Sequence, residues 1–202
     1  MIVELGVSAS IVAILVGLPL LVAPFRAFIG FRSDTHKSAI GWRRVPYIWI
    51  GTILQFGGLS IMPFALILLS GDTHWPLWFG TLSAGFAFLL VGIGIQTIQT
   101  AGLALATDLS PEKNKPRVVA LMYTMLLLGM VFSSMVFSFL LEPFSQFRLI
   151  QVIQSAAVIC FLLNVFALWK QEQRNPKKTS PKKFKPTFWM IWSKFSENPN
   201  TK

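Results

Sequence analysis

Five apolar runs, each long enough to cross a lipid bilayer, constrain the fold of this chain more than any other feature. A transmembrane helix needs about 20 apolar residues to cross a hydrocarbon core of about 30 Å. With 53% hydrophobic and only 13% charged residues, the chain has too little polar surface to cover a soluble globule of its length. The sequence therefore predicts an all-α integral membrane protein with five transmembrane helices. The predicted spans are residues 7–25, 46–70, 77–106, 118–141 and 149–169.

These spans predict one helical bundle over residues 1–170, followed by a cytoplasmic basic tail over residues 171–202. The tail is interrupted by proline, and Trp189 and Trp192 lie in it close to lysine residues. Such a pattern is typical either of an amphipathic helix in the interface of an anionic leaflet or of a basic linker, and both remain open. Interleaved basic and aromatic residues also occur in nucleic-acid-binding surfaces. Next to five membrane spans, we do not expect a nucleic-acid partner.

Basic residues are concentrated on one side of the predicted membrane. The segment 23–51, predicted to be a loop between the first two spans, carries five of them, and of the 18 Lys and Arg residues only Arg148 falls on the opposite side. Because cytoplasmic segments hold an excess of Lys and Arg, the sequence predicts a cytoplasmic C-terminus and an external N-terminus. An external N-terminus without a signal peptide suggests a further helix upstream of Met1. The net charge of +10 follows from this placement.

A few amide side chains fall at membrane depth, where polar groups are costly and tend to face the bundle interior or a cavity. Gln96 and Gln99 share one face of the third predicted span with Gly92, while Gln55 lies in the second span and Asn164 in the fifth. These amides either line a cavity or only join helices, through hydrogen bonds of about 0.6 to 2 kcal/mol each. We find no nucleophile–base pair, carboxylate dyad at depth or phosphate loop, so an enzyme is not expected.

The segment 23–51 resembles the turn between the second and third helices of the major facilitator superfamily. In that turn a glycine and an aspartate are followed by a glycine and two basic residues, and this sequence inserts T-H-K-S-A-I between the two parts. Longer words match one branch of the superfamily more closely. R-S-D-T-H-K-S-A-I-G-W-R-R-V-P-Y-I-W-I-G, A-G-L-A-L-A-T-D-L and R-L-I-Q-V-I-Q are similar to the bacteriochlorophyll-delivery (PucC/LhaA) family.

This resemblance implies that the chain corresponds to helices two to six of a six-helix major facilitator half and part of the linker between the halves. It implies a multi-pass protein of the bacterial inner (cytoplasmic or intracytoplasmic) membrane that assembles light-harvesting antenna complexes. The implied partners are antenna polypeptides, bacteriochlorophyll as a transient ligand, and membrane lipids. Gln96 and Gln99, with Gln55 and Asn164, would then offer amide oxygens to the pigment magnesium or hydrogen bonds to its ring carbonyls.

The resemblance also implies a conformational latch at the cytoplasmic ends of the helices. We expect Asp108 to pair with Arg43 or Arg44. We expect Asp34 to reach a helix outside this chain, and therefore to lack a partner within it. The alternative is that the positive charges serve only to orient the protein in the membrane. The predicted latch residues are Gly30, Asp34, Gly41, Arg43, Arg44 and Asp108.

Two other functions remain open. One is an ion-coupled transporter of a small solute, which normally needs an ionisable group at mid-membrane. None of the five predicted spans contains such a group. The other is a structural partner of antenna subunits that binds no pigment. His36 and His74, the residue type usually expected to ligate chlorophyll, fall in predicted loops outside the spans.

Overall fold

The computed structural model describes residues 6–35, 42–70 and 76–169, together with Gln171 and Met190. Over these residues the chain is helical, without a strand. Five helical segments of the described part are long and apolar enough to cross a membrane, with α1 and α2 forming the first together. The all-α membrane class is thus confirmed. The helices are α1 (Ala9–Leu21), α2 (Arg26–Thr35), α3 (Val45–Leu69), α4 (Leu77–Asp108), α5 (Lys115–Leu140) and α6 (Gln146–Leu168), with 3-10 turns at Ala23–Phe25 and Glu112–Asn114.

The four later helices agree with the predicted spans to within three residues at each end. Prolines mark three of their starts, because proline has no N–H and fits where a helix has no acceptor for one. Pro46 and Pro116 lie in the first turns of α3 and α5, and Pro76 is the N-cap residue of α4. The short connections between α4, α5 and α6 make these neighbours antiparallel.

The prediction that the segment 23–51 forms a loop was wrong over residues 26–35. Pro24 interrupts the α-helix with a 3-10 turn, but the chain is helical again from Arg26 to Thr35. Charge was taken as a sign of a loop, yet arginine is a good helix former and can extend a membrane helix beyond its apolar run. Helix α2 thus ends at Thr35, and α3 begins at Val45.

Several predictions fall on residues outside the described part of the chain. Apart from Gln171 and Met190, the whole basic tail over residues 171–202 belongs to this group, so both interpretations of the tail remain predictions. The same applies to Gly41, His36 and His74.

Helices α3 and α4 pack with their backbones in direct contact. A Cβ atom on Gly94 would lie 2.6 Å from the carbonyl oxygen of Gly51, and a Cβ atom on Gly51 would lie 2.9 Å from the carbonyl oxygen of Gly94. Gly58 and Gly80 make the same kind of approach, at 2.8 Å from a carbonyl oxygen of the facing helix. Small residues allow this spacing between membrane helices, where close packing replaces the hydrophobic effect as the main source of association. The α3–α4 pair is therefore the centre of the described bundle.

The other helices add to this pair on different sides. Helix α6 packs against α3, and α1 packs against α4, where Gly92 leaves room for Pro19. One buried cluster includes Leu15 of α1 and Leu149 of α6. A second cluster, at the opposite ends of α3 and α4, includes Val45 and Leu105.

Helix α5 is the least covered element. It contacts α4, but none of its residues is buried in the described structure. Large apolar side chains such as Phe132 and Phe139 are 69% and 79% exposed. Apart from the neighbouring backbone of its own helix, no described atom lies within 4 Å of a Cβ position on Gly129. In a membrane these side chains contact lipid or a further protein helix.

We predict that Gly94→Ala lowers the free energy of unfolding by about 1 to 3 kcal/mol, because the added methyl group meets backbone atoms that cannot move aside. Gly102→Ala is the matched control on the same helix, since no described atom lies within 4 Å of its Cβ position. Without a clash, the control gains up to about 1 kcal/mol of helix propensity. Thermal unfolding in detergent, followed by circular dichroism, compares the two. Equal stability of both variants would contradict the backbone contact.

Candidate functional site

A cluster of four charged residues joins the ends of α2, α3 and α4. Arg44 Nη1 lies 2.5 Å from Asp34 Oδ1, and Arg44 Nε lies 3.0 Å from Asp108 Oδ2. Arg43 Nη2 contacts the same Asp108 oxygen at 2.7 Å. Asp108 is the last residue of α4, Asp34 lies in the last turn of α2, and the arginines directly precede α3. The expected pairing of Asp108 with the arginines is present and joins the start of α3 to the end of α4. The pair of Arg44 with Asp34 adds the end of α2.

The expectation that Asp34 lacks a partner was wrong, because Asp34 is ion-paired with Arg44. Two features of the fold explain this. The helical course of α2 through Thr35 carries Asp34 to the start of α3. A guanidinium also has five N–H donors in a fork, so that Arg44 can serve two carboxylates at once.

Ser33 completes the cluster and was missed by the sequence analysis. Its hydroxyl accepts a hydrogen bond from Arg44 Nη1 at 3.0 Å and donates one to the carbonyl oxygen of Gly30 at 2.8 Å. Ser33 is fully buried, and the side chain of Arg44 is only 8% exposed. In the sequence, only its position next to Asp34 in the motif of the segment 23–51 pointed to Ser33. That indication is weak, because serine is common in turns.

A cavity of about 420 Å³ lies between α2, α4 and α5. Arg26 enters it from α2, and its Nη2 donates a hydrogen bond to Gln99 Oε1 of α4. Tyr123 of α5 and Thr100 of α4 add hydroxyl groups, and most of the remaining lining is apolar. Gly30 of α2 lies beside Thr100 of α4, because a Cβ atom on Gly30 would lie 3.6 Å from the threonine methyl group. Helices α2 and α4 are therefore in close contact here.

The four predicted cavity amides have different surroundings. Gln99 lines the cavity, but its oxygen is bonded to Arg26. Gln96 Oε1 is buried and has no hydrogen-bond partner in the described structure. Gln55 packs against Gly94 in the α3–α4 contact. Asn164 Nδ2 donates to the carbonyl oxygen of Cys160 in its own helix at 3.1 Å. The structure therefore brings only Gln99 of the four into this cavity, with Gln96 one turn away on the same helix.

Arg26 was counted in the sequence as part of a cytoplasmic loop and not as a site residue. Since α2 is helical, Arg26 instead lies inside the candidate membrane span Ala9–Thr35. The longer first span therefore contains an ionisable group, which the predicted span 7–25 did not. The sequence shows that Arg26 directly follows an apolar run, but it does not show that the helix continues beyond that run.

A family model described as "PUCC protein" matches residues 1–202. The chain belongs to the PUCC family.

Relatives within this family are highly similar. The PUCC-family chain is 56% identical over 208 aligned residues to Protein PucC of Rhodovulum sulfidophilum, covering 100% of this chain and 46% of that protein. It is 54% identical over 203 residues to Protein PucC of Cereibacter sphaeroides, covering 99% of this chain and 44% of that protein. An uncharacterised protein in the puhA–bchM intergenic region of Rhodobacter capsulatus is 54% identical over 177 residues. The alignment covers 87% of this chain and 37% of that protein.

The PUCC-family chain thus spans somewhat less than half the length of these curated relatives. No solved structure matches it.

The two arginines of the charge cluster should contribute unequally to the stability of this PUCC-family chain. We expect Arg44→Ala to lower the free energy of unfolding by about 1 to 3 kcal/mol, because it removes hydrogen bonds to Asp34, Asp108 and Ser33 at once. Arg43→Ala should cost less than about 1 kcal/mol, because its side chain is 33% exposed.

Arg44→Lys is the informative companion variant. A single ammonium group cannot reproduce the forked geometry, so it should recover only part of the loss. Denaturant unfolding in detergent micelles measures all three variants. If the Arg43 and Arg44 substitutions cost the same, then Arg44 is not the central residue of the cluster.

Proposed function

We propose that this chain is part of a membrane assembly factor for bacterial light-harvesting antenna complexes. The observation that carries the proposal is the family match over the whole chain, together with 56% and 54% identity to two proteins named PucC. The five apolar helical segments are long enough to cross a membrane. This fits an assembly factor that acts in the same membrane as the antenna polypeptides. Antenna polypeptides are the proposed partners, and the bacterial inner membrane is the proposed location, with the N-terminus external and the C-terminus cytoplasmic.

The proposed delivery of bacteriochlorophyll rests on the environment of Gln96. A buried amide oxygen without a hydrogen-bond partner is energetically costly. Magnesium prefers oxygen ligands, so this oxygen fits the metal of the pigment or a donor on its ring. Gln99 fits less well as a ligand, because its oxygen already accepts a hydrogen bond from Arg26. Of the pair Gln96 and Gln99, the first is the proposed pigment contact and the second positions Arg26.

The charge cluster supports a proposed latch function. Gly30, Asp34, Arg43, Arg44 and Asp108 connect three helix ends, so any motion that separates α2 or α4 from α3 must break charge-assisted hydrogen bonds. A ligand can shift such an equilibrium only by binding one arrangement more tightly than the other. We propose that pigment or antenna binding supplies this difference.

Specific observations favour two other candidate functions. The exposed surface of α5 favours a structural partner that docks antenna subunits without pigment. Arg26 favours an ion-coupled transporter, since an ionisable group lies in a candidate span beside a cavity. Pigment binding by the purified protein distinguishes both from the main proposal.

We expect the protein purified from pigment-synthesising cells to carry bacteriochlorophyll, detected by near-infrared absorption. Gln96→Leu should reduce the pigment per protein roughly tenfold, which corresponds to the loss of about 1.4 kcal/mol of binding. The reason is that leucine keeps the volume of the side chain but removes its oxygen.

Gln151→Leu is the matched control, because Gln151 is an exposed glutamine of α6 beside Arg148, whereas the oxygen of Gln96 is buried. It should leave the pigment content unchanged. A protein without pigment would rule out delivery and leave the structural-partner or transporter function. Pigment content that is equal in the wild type and Gln96→Leu would remove Gln96 from the site.

A further inference from the structure

Arg26 is a positive charge within the candidate membrane span Ala9–Thr35. It lies eight residues before Asp34 in α2, which corresponds to about 12 Å at 1.5 Å per residue. Its partner Gln99 lies nine residues before Asp108 in α4, or about 14 Å. The two estimates agree and place Arg26 well away from the charge cluster at the helix ends. A charge within a membrane span is costly unless an opposite charge or polar groups compensate it.

The described carboxylates do not provide that opposite charge. Asp34 and Asp108 are paired with the arginines of the cluster, and Glu112 lies 2.5 Å from Lys115 Nζ. Glu142 lies beyond the far end of α5. Within the described part of the chain, the side-chain partner of Arg26 is therefore the neutral amide of Gln99.

The cavity around Arg26 combines one charged side chain with a mostly apolar lining. One guanidinium donates to Gln99 and has further N–H groups for a second acceptor. Tyr123, which also lines the cavity, adds a hydroxyl group. Leu103, Met122 and Leu126 supply an apolar wall from α4 and α5. A volume of about 420 Å³ is in the range of small-molecule sites.

We propose that this cavity binds the acidic headgroup of a membrane amphiphile, with a phosphate or carboxylate paired to Arg26 and an acyl chain along α4 and α5. Arginine matches the geometry of both acids, because its parallel N–H groups can bind two oxygens of one acidic group. The apolar wall and the exposed surface of α5 suit an acyl chain that continues into the bilayer. Pigment takes no part in this binding, so the amphiphile site does not depend on the proposed function.

The test measures which amphiphile stays bound to the purified chain. The chain in neutral detergent is incubated separately with dioleoyl phosphatidylglycerol, oleate, zwitterionic dioleoyl phosphatidylcholine and inorganic phosphate, and bound molecules are counted by native mass spectrometry. We expect one phosphatidylglycerol or one oleate per chain, and which of them binds identifies phosphate or carboxylate as the preferred acid. Arg26→Gln should lower the occupancy at least about tenfold, because it removes a charge-assisted hydrogen bond.

Arg32→Gln is the matched control, since Arg32 is an exposed arginine of the same helix. It should change the occupancy by less than about twofold. Leu103→Trp fills the cavity and keeps the charge of Arg26, so it should also displace the amphiphile. If Arg26→Gln does not fold, the occupancy of Leu103→Trp tests the proposal instead. Four results would each overturn the proposal: no probe retained, phosphate retained without any lipid, phosphatidylcholine retained as well as phosphatidylglycerol, or equal occupancy in the wild type and the Arg26 and Leu103 variants.

Discussion

The backbone contact between α3 and α4 is the interaction on which the rest of the described structure depends. Lipid tails are as apolar as leucine, so membrane helices gain little from burying apolar surface against each other. The stabilisation comes from close packing. Because Gly51 and Gly94 have no side chain, the backbone of each helix can lie directly against the carbonyl oxygen of the other glycine. Helices α1, α2 and α6 then pack on surfaces that this pair defines.

Much of this fold could be predicted because a bilayer imposes strong rules on sequence. Helix length follows from membrane thickness, and Pro46, Pro76 and Pro116 mark helix starts, so four spans were located to within three residues. The same reasoning failed at α2. Charge signals where a chain leaves the apolar layer, but it does not signal where the helix ends, and Arg26 therefore entered the sequence analysis as a loop residue.

The candidate site was less predictable than the fold for a physical reason. Gln96 and Gln99 share a helical face and are equivalent in any periodicity argument. Only the approach of α2 distinguishes them, since it gives Gln99 a donor and leaves the oxygen of Gln96 without a described partner. In the same way, the pairing of Asp34 depends on where Arg44 lies in space. The motif identified both residues but not their contact.

The charge cluster has a consequence for the order in which the helices can join. Asp108 follows Arg44 by 64 residues, a delay of roughly 3 to 13 s at ordinary rates of synthesis of about 5 to 20 residues per second. During that interval Asp34, which precedes the arginines in the chain, is the only carboxylate of the cluster that Arg44 can contact. Once α4 has been made, Asp108 adds the contacts to Arg43 and Arg44. The junction between α2 and α3 can therefore form before the junction between α3 and α4.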